Sequence, residues 1–121
     1  MSAPQGNKIM LVEDDPTMIA VLSTLLEIEG YQVIAPANKT LDDIIQSIRS
    51  NQPDLILLDV HLRDVSGYDV IKQVRSDPGL TGTRVVMTSG MDVKEQCLEA
   101  GANTFLLKPY MPDELIEKLK G

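Results

Sequence analysis

Five short apolar runs divide this sequence, and four of them end in side chains that could take part in chemistry. Glu13 and Asp14 follow the first run, Asp59 follows the third, Thr88 closes the fourth and Lys108 follows the fifth. To catalyse phosphoryl transfer, a protein needs mainly a nucleophile in line with the bond that breaks and positive charge close to the equatorial oxygens of the phosphoryl group. We therefore expect Asp59 to accept a phosphoryl group, with Lys108 neutralising its charge and Thr88 hydrogen-bonding one of its oxygens.

The acidic residues Glu13, Asp14 and Asp59 also indicate a metal site. Carboxylates that meet at one place raise one another's pKa unless a cation lies between them. A site with oxygen ligands and only one or two protein carboxylates suits Mg²⁺, which keeps several waters for substrate oxygens to replace. The sequence therefore predicts Mg²⁺ as the cofactor.

The apolar runs predict strands, and the segments between them predict helices. Residues 55–58 are apolar throughout, which is typical of a central parallel strand buried on both faces. A helical stripe with i, i+3, i+4, i+7 spacing follows the second run, formed by Leu41, Ile44, Ile45 and Ile48. Alternation of this kind predicts an α/β domain with a single doubly wound parallel sheet and helices on both of its faces.

The expected sheet has five strands in the flavodoxin-like order 2-1-3-4-5, which makes the four strands that carry chemistry adjacent. The carboxyl ends of parallel strands share one edge of a sheet, and ligands bind there. The strands are predicted at residues 8–12, 31–35, 55–58, 84–88 and 104–107. The helices are predicted to begin near Pro16, after Thr40, near Gly67, near Val93 and at Pro112.

Composition limits the function classes. A chain of 121 residues suits one domain, which we expect at residues 8–121 after a polar tail at residues 1–7. One cysteine, Cys97, excludes an internal disulfide and favours the cytoplasm. No stretch approaches the ~20 apolar residues of a membrane span. A net charge of −7 and 3% aromatic residues argue against direct nucleic-acid binding.

Five motifs in register resemble the receiver domain of two-component response regulators over residues 8–120. The motifs are Val12-Glu13-Asp14-Asp15, Pro53-Asp54-Leu55-Ile56-Leu57-Leu58-Asp59, Thr88-Ser89, Gly101-Ala102 and Lys108-Pro109. The resemblance implies that Asp59 is the phospho-acceptor and that Asp14 binds Mg²⁺ directly. It also implies that Glu13 acts on the metal through water and that the backbone carbonyl of His61 completes the site.

The resemblance further implies a switch in which Thr88 moves toward the phosphoryl group and Phe105 turns inward, with a cis Lys108–Pro109 bond. The expected donor is a sensor histidine kinase, a phosphotransfer protein or a small phosphodonor. The expected readout is an output domain or partner protein on the face formed by the fourth helix, fifth strand and fifth helix. Such a domain is a signal-transduction switch with slow self-dephosphorylation and is not a dedicated turnover enzyme.

Some positions depart from the family pattern. Arg63 replaces a frequent proline, Ser66 replaces a frequent acid, and the short spacing from Thr88 to Lys108 predicts an abbreviated fourth helix. Met111 occupies the expected N-cap of the last helix without offering an oxygen, so this helix start is expected to rely on Pro112 and Asp113.

Two other functions stay open. One is an aspartyl-phosphate hydrolase of the haloacid dehalogenase type, although such enzymes have a second acid where this chain has His61 and normally need a longer chain. The other is a receiver-like docking module that takes no phosphoryl group, against which the acid pair, Thr88 and Lys108 weigh. His61 itself is expected to be an exposed loop residue, because a single histidine lacks partners for a metal or triad site.

Overall fold

A computed structural model describes residues 7–36 and 40–120 of the chain. The strands are β1 (Lys8–Val12), β2 (Gln32–Ile34), β3 (Leu55–Asp59), β4 (Arg84–Ser89) and β5 (Thr104–Leu107). The helices are α1 (Pro16–Ile28), α2 (Leu41–Asn51), α3 (Gly67–Ser76), α4 (Lys94–Ala100) and α5 (Pro112–Lys120), with a 3₁₀ turn at Pro78–Leu80. The strands form one parallel sheet in the order β2-β1-β3-β4-β5, so the predicted fold is confirmed.

Each strand sends alternate side chains to the two faces of the sheet, and each face carries its own helices. On one face, apolar residues of the sheet such as Met10, Leu58 and Met87 pack in one cluster with buried residues of α2, α3 and α4. On the other face, the cluster around Leu11 and Leu57 includes buried residues of α1 and α5. All five residues of β3 are buried, which places Asp59 at the end of the most enclosed strand.

The element boundaries follow the capping residues. Asp15 caps α1, Thr40 caps α2 and Ser66 caps α3, each accepting a hydrogen bond from a backbone N–H of the first turn. Strand β2 is shorter than the predicted range 31–35 and lies at an edge of the sheet, so Pro36 follows the strand and costs it no ladder bond.

The start of α5 corrects one expectation. The side chain of Glu114 reaches back, and its Oε1 accepts a hydrogen bond of 3.1 Å from the backbone N–H of Met111. This is the acid half of a capping box, in which a side chain three residues into the helix satisfies the cap position. The helix therefore does not rely on Pro112 and Asp113 alone.

Helix α4 has seven residues, in agreement with the expected abbreviation. It begins after Val93 without a side-chain cap and ends at Gly101, whose φ of 116° is in the left-handed region. The Lys108–Pro109 bond is cis, as the resemblance implied. Among the described residues, no helix combines the length and apolar character that crossing a bilayer requires. Of the predicted tail at residues 1–7, all but Asn7 lies outside the described residues.

Candidate functional site

The sheet brings the predicted site residues together at its carboxyl edge. Asp59 and Thr88 are direct partners in the parallel register of β3 and β4. The backbone N–H of Val60 donates to the carbonyl of Thr88 at 2.9 Å, which holds the two strand ends together beyond the last ladder pair. Both Asp59 and Thr88 are buried, whereas Lys108 and Glu13 are partly exposed. The Asp59 carboxylate is therefore the more enclosed partner, with the more exposed side chains of Lys108 and Glu13 beside it.

Lys108 lies between two of the three predicted acids. Its Nζ donates to Oδ2 of Asp59 at 2.7 Å and to Oε1 of Glu13 at 3.1 Å. Burial by itself lowers the pKa of Lys108, but the hydrogen bond and charge of Asp59, and then those of Glu13, outweigh this and raise the pKa above its ordinary value. The lysine is thus a fixed cation against the Asp59 carboxylate.

The acidic loop after β1 is held by its own backbone. Oε2 of Glu13 accepts hydrogen bonds from the backbone N–H groups of Asp14 at 2.9 Å and Asp15 at 3.2 Å. Glu13 therefore joins the loop to Lys108, because its other oxygen bonds the ammonium. Oδ2 of Asp14 in turn accepts a hydrogen bond from the backbone N–H of Arg63, which connects this loop to the one after β3.

The loop between β3 and α3 wraps tightly around Asp59. The backbone N–H of His61 donates to Oδ1 of Asp59 at 3.0 Å, and the N–H of Gly67 donates to the carbonyl of Val60 at 2.8 Å. A Cβ at position 67 would lie 2.4 Å from the carbonyl oxygen of Asp59 and 2.8 Å from the Cα of Val60. Because both atoms belong to the backbone, a glycine is needed here for the loop to pack against Asp59.

The donor set fits Mg²⁺ chemically. Within residues 7–36 and 40–120, no three or more His, Cys, Asp or Glu side chains are arranged to hold a metal ion by themselves. Mg²⁺ does not need such a cage, because it usually binds one or two carboxylates and keeps waters for the remaining positions. Asp14 and Asp59 are hard oxygen donors at the same edge of the sheet, so they meet this requirement. Glu13 is less free to bind a metal directly, because Oε1 bonds Lys108 and Oε2 accepts from the N–H groups of Asp14 and Asp15.

The predicted switch residues lie on neighbouring strands. Thr88 pairs with Leu106, and Phe105 pairs with Met87, so Phe105 is diagonal to Thr88 across the β4–β5 ladder. Phe105 is buried in the cluster shared by α2, α3 and α4. The side chain of His61 is exposed beside the site. Cys97 is fully buried on α4, and burial raises the pKa of its thiol.

Sequence reasoning missed two contributors to this edge. One is the backbone N–H of Arg63, which donates to Asp14. Any residue except proline could make this bond, so the residue type at position 63 does not indicate it. The other is Tyr110, two residues after Lys108. Burial raises the pKa of its phenol, and the charges of Lys108, Glu13 and Asp59 also act on it, which puts the ring within electrostatic reach of the site.

Comparison with known proteins identifies the fold and the family. The model of the response regulator receiver domain family matches residues 9–120. This chain belongs to that family. It is therefore a receiver domain of two-component signal transduction, in a family whose members are in general not dedicated enzymes.

Individual relatives agree with this assignment. The DNA-binding response regulator MtrA of Mycolicibacterium smegmatis is 32% identical over 117 residues, which cover 93% of this chain and 49% of MtrA. The receiver domain of the sensor histidine kinase PA1611 of Pseudomonas aeruginosa, solved with a magnesium ion coordinated in the active site cleft, is 28% identical with a TM-score of 0.82 and 95% of each chain covered. This receiver domain spans about half the length of the curated relatives that it matches.

A third relative was solved in an activated form. The BeF₃-activated N-terminal receiver domain of RstA from Klebsiella pneumoniae is 27% identical, with a TM-score of 0.83, and the match covers 94% of this chain and 96% of that one.

Proposed function

We propose that this receiver domain is a switch that accepts a phosphoryl group on Asp59 and then changes conformation to regulate a partner or output domain. The donor is a histidine kinase, a phosphotransfer protein or a small phosphodonor. The observation that carries the proposal is the Lys108 ammonium, 2.7 Å from a buried carboxylate at the carboxyl end of the central strand. A buried carboxylate with an adjacent cation, at a partly open edge, is suited to receive a dianionic group.

The transfer step needs few participants. A carboxylate oxygen of Asp59 forms the new bond to phosphorus, while the bond from phosphorus to the donor's nitrogen or oxygen breaks and its electron pair leaves with the donor. Lys108 offsets the charge that the phosphoryl oxygens bring. The N–H of His61 holds the carboxylate in a fixed orientation through Oδ1.

Mg²⁺ would be held by the carboxylates of Asp14 and Asp59 and by the backbone carbonyl of His61, with Glu13 acting through water. When bound, the ion supplies further positive charge against the phosphoryl oxygens. The fit of these oxygen donors supports the assignment, and the magnesium-bound PA1611 receiver domain supports it by analogy. The hydrogen bond from Arg63 keeps Asp14 directed toward the loop that encloses Asp59.

For the response to phosphorylation, Thr88 moves toward the phosphoryl group and the ring of Phe105, already buried in the unmodified domain, turns further inward with it. Their side chains lie on opposite faces of the sheet, so the movement would pass through the backbone ladder that joins β4 and β5. The readout face is formed by α4, β5 and α5. Exposed large apolar side chains lie on or beside these elements and would be covered by a partner: Met91, Leu98, Leu107 and Met111.

The structure gives less support to the hydrolase alternative than to the switch. Such an enzyme needs a second acid two residues after the nucleophile, where this chain has His61, whose contact with Asp59 is made by its backbone N–H. The docking-module alternative would leave the costly burial of the Asp59 carboxylate beside Lys108 without a function.

The test combines uptake and turnover. The protein is incubated with Mg²⁺ and acetyl phosphate, and both its intact mass and the released phosphate are followed. We expect one phosphoryl group per chain in the wild type and none in Asp59→Asn, with uptake retained in the control Asp54→Asn at the opposite end of β3. Fast continuous phosphate release would support the hydrolase, and no uptake in the wild type would support the docking module.

A further inference from the structure

Arg75, near the C-terminal end of α3, joins this helix to two other segments, the residue before β4 and the turn between α4 and β5. Its Nε donates to the carbonyl of Gly101 at 2.9 Å, one terminal nitrogen donates to the carbonyl of Thr83 at 2.7 Å, and the other donates to Oδ1 of Asn103 at 2.8 Å. The guanidinium is partly buried, and burial lowers its pKa, although arginine stays charged in proteins. A planar fork with fixed donors is well suited to hold three acceptors at once.

The contact with Asn103 extends this clamp into the sheet. Oδ1 of Asn103 also accepts a hydrogen bond of 2.8 Å from the backbone N–H of Val85. The backbone N–H of Asn103 in turn donates to the carbonyl of Val85 at 2.9 Å. These bonds come directly before Val86 and Thr104, the first pair in the β4–β5 register. Arg75 therefore holds the start of both strands, while the site residues Thr88 and Lys108 lie toward their other ends.

The C-terminal end of α4 is also fixed by its own cap. The N–H of Ala102 donates to the carbonyl of Cys97 at 3.0 Å and that of Gly101 to the carbonyl of Leu98 at 3.1 Å, which is a Schellman motif. A Cβ on Gly101 would lie 2.7 Å from Cγ of Arg75, so the arginine stem packs directly on this turn.

The N-terminal end of α4 packs on the core cluster through Val93, but among the described residues no backbone hydrogen bond ties residues 90–93 to another segment. Val93 precedes the helix without a side-chain hydrogen bond, and a Cβ on Gly90 would meet no atom within 4 Å. The hydrogen bonds at this end are local, from Met91 N–H to the Ser89 hydroxyl oxygen at 3.0 Å and from Val93 N–H to the Met91 carbonyl at 2.9 Å. This end, which lacks the hydrogen bonds to other segments found at Gly101, directly follows Thr88 and Ser89.

We infer that Arg75 anchors α4 at its C-terminal end. When the end of β4 moves, the N-terminal end of α4 therefore moves with it, and Gly101 acts as the pivot. Arg75 is a positioning residue in this account, because it acts through α4 and the β4–β5 register and does not contact Asp59. The trigger rests on the proposed phosphorylation of Asp59, whereas the anchor itself is a property of the unmodified domain.

Amide hydrogen exchange by NMR tests the anchor. In the unmodified wild type, the amides of Ala102 and Val85 should exchange at least about 10-fold more slowly than that of Cys97 in the first turn, because loss of hydrogen bonds to a charged group changes opening equilibria by that order. Arg75→Gln should bring the three rates together. Arg75→Lys keeps the charge but cannot reach three acceptors, so it should fall between. The control is Arg49→Gln on the neighbouring α2, which removes a single ion pair with Asp77, the residue that follows α3.

A second arm adds Mg²⁺ and beryllofluoride as a phosphoryl mimic. In the wild type, we expect the mimic to change the amide exchange rates of residues 90–97 and to leave those of Ala102 and Val85 unchanged. In Arg75→Gln, we expect the mimic to change the exchange rates of Ala102 and Val85 as well. Equal exchange at the two ends of α4 in the unmodified wild type, or a difference that survives Arg75→Gln, would overturn the anchor. Equal responses at both ends to the mimic would overturn the pivot. If the wild type neither responds nor takes up phosphoryl groups, the proposed function fails and the pivot fails with it, whereas the anchor is still decided by the first arm.

Discussion

Asp59 and Lys108 are 49 residues apart in the chain, yet Nζ of Lys108 lies 2.7 Å from Oδ2 of Asp59. The parallel sheet makes this contact by bringing the carboxyl ends of β3 and β5 to the same edge, on either side of β4. The ammonium also bonds Glu13, so one cation is shared by two carboxylates from the ends of β1 and β3. A phosphoryl group on Asp59 would change this arrangement, because it would bring further negative charge to the same ammonium.

The Lys108 contact predicts a pH dependence of stability. Its pKa is raised in the folded state, so its stabilising contribution is complete below the unfolded value of about 10.4 and is lost as the pH rises through the higher folded value. We expect wild type to be more stable than Lys108→Gln at neutral pH, and the difference in the free energy of unfolding to shrink above pH ~10.4.

Urea denaturation across this range measures the effect. Both proteins should carry Tyr110→Phe, since Lys108 acts on the pKa of that phenol and would otherwise contribute to the difference. Lys72→Gln, at an exposed position on α3, is the control and should show a pH-independent difference. A gap for Lys108→Gln that stays constant through this range would show that the contacts of Lys108 do not stabilise the fold.

Metal binding should appear as a thermal shift. Mg²⁺ at about 100 times its dissociation constant stabilises a folded domain by about 2.7 kcal/mol if it does not bind the unfolded chain. We expect the melting temperature of the wild type to rise by several degrees with Mg²⁺, and the rise to be mostly lost in Asp14→Asn. Asp54→Asn is the matched control, because Asp54 accepts a hydrogen bond from Lys8 at the far edge of the sheet. Equal increases in melting temperature in all three proteins would show that Asp14 does not bind the metal.

Gly67 gives a test of the loop that encloses Asp59. Gly67→Ala places a methyl group against the backbone of Asp59 and Val60, so we expect a loss of about 1–3 kcal/mol in stability, as for overpacked sites. The displaced Asp59 backbone should also slow phosphoryl uptake from acetyl phosphate. Gly82→Ala, where the new Cβ meets no atom within 4 Å, should change stability by less than about 1 kcal/mol. Similar stabilities for the two variants would show that the loop tolerates a side chain beside Asp59.

Periodicity and strand-end residues were enough to predict the sheet order and the edge where the site lies. The uninterrupted apolar run before Asp59 identified the central strand, because only a strand covered on both faces buries every residue. The alternation of strands and helices then placed Glu13, Thr88 and Lys108 at the same edge, and the structure brings them there.

The details that escaped prediction depend on backbone groups and on long side chains. The amide of Arg63 bonds Asp14 whatever its side chain, and the sequence pattern cannot report it. Glu114 caps α5 by reaching back three residues, which was overlooked because Met111 lacked an oxygen. Arg75 finds acceptors in segments up to 28 residues away, and such contacts become visible only when the fold is known.

The most direct test of the account locates the phosphoryl group itself. After incubation with acetyl phosphate and Mg²⁺, borohydride reduction of an acyl phosphate leaves homoserine at the modified aspartate, and peptide mass spectrometry reads its position. We predict homoserine at position 59 in the wild type and at no position in Asp59→Asn. Homoserine at Asp14, Asp54 or Asp64, or equal labelling of the Asp59→Asn protein, would contradict the assignment of Asp59 as the phospho-acceptor.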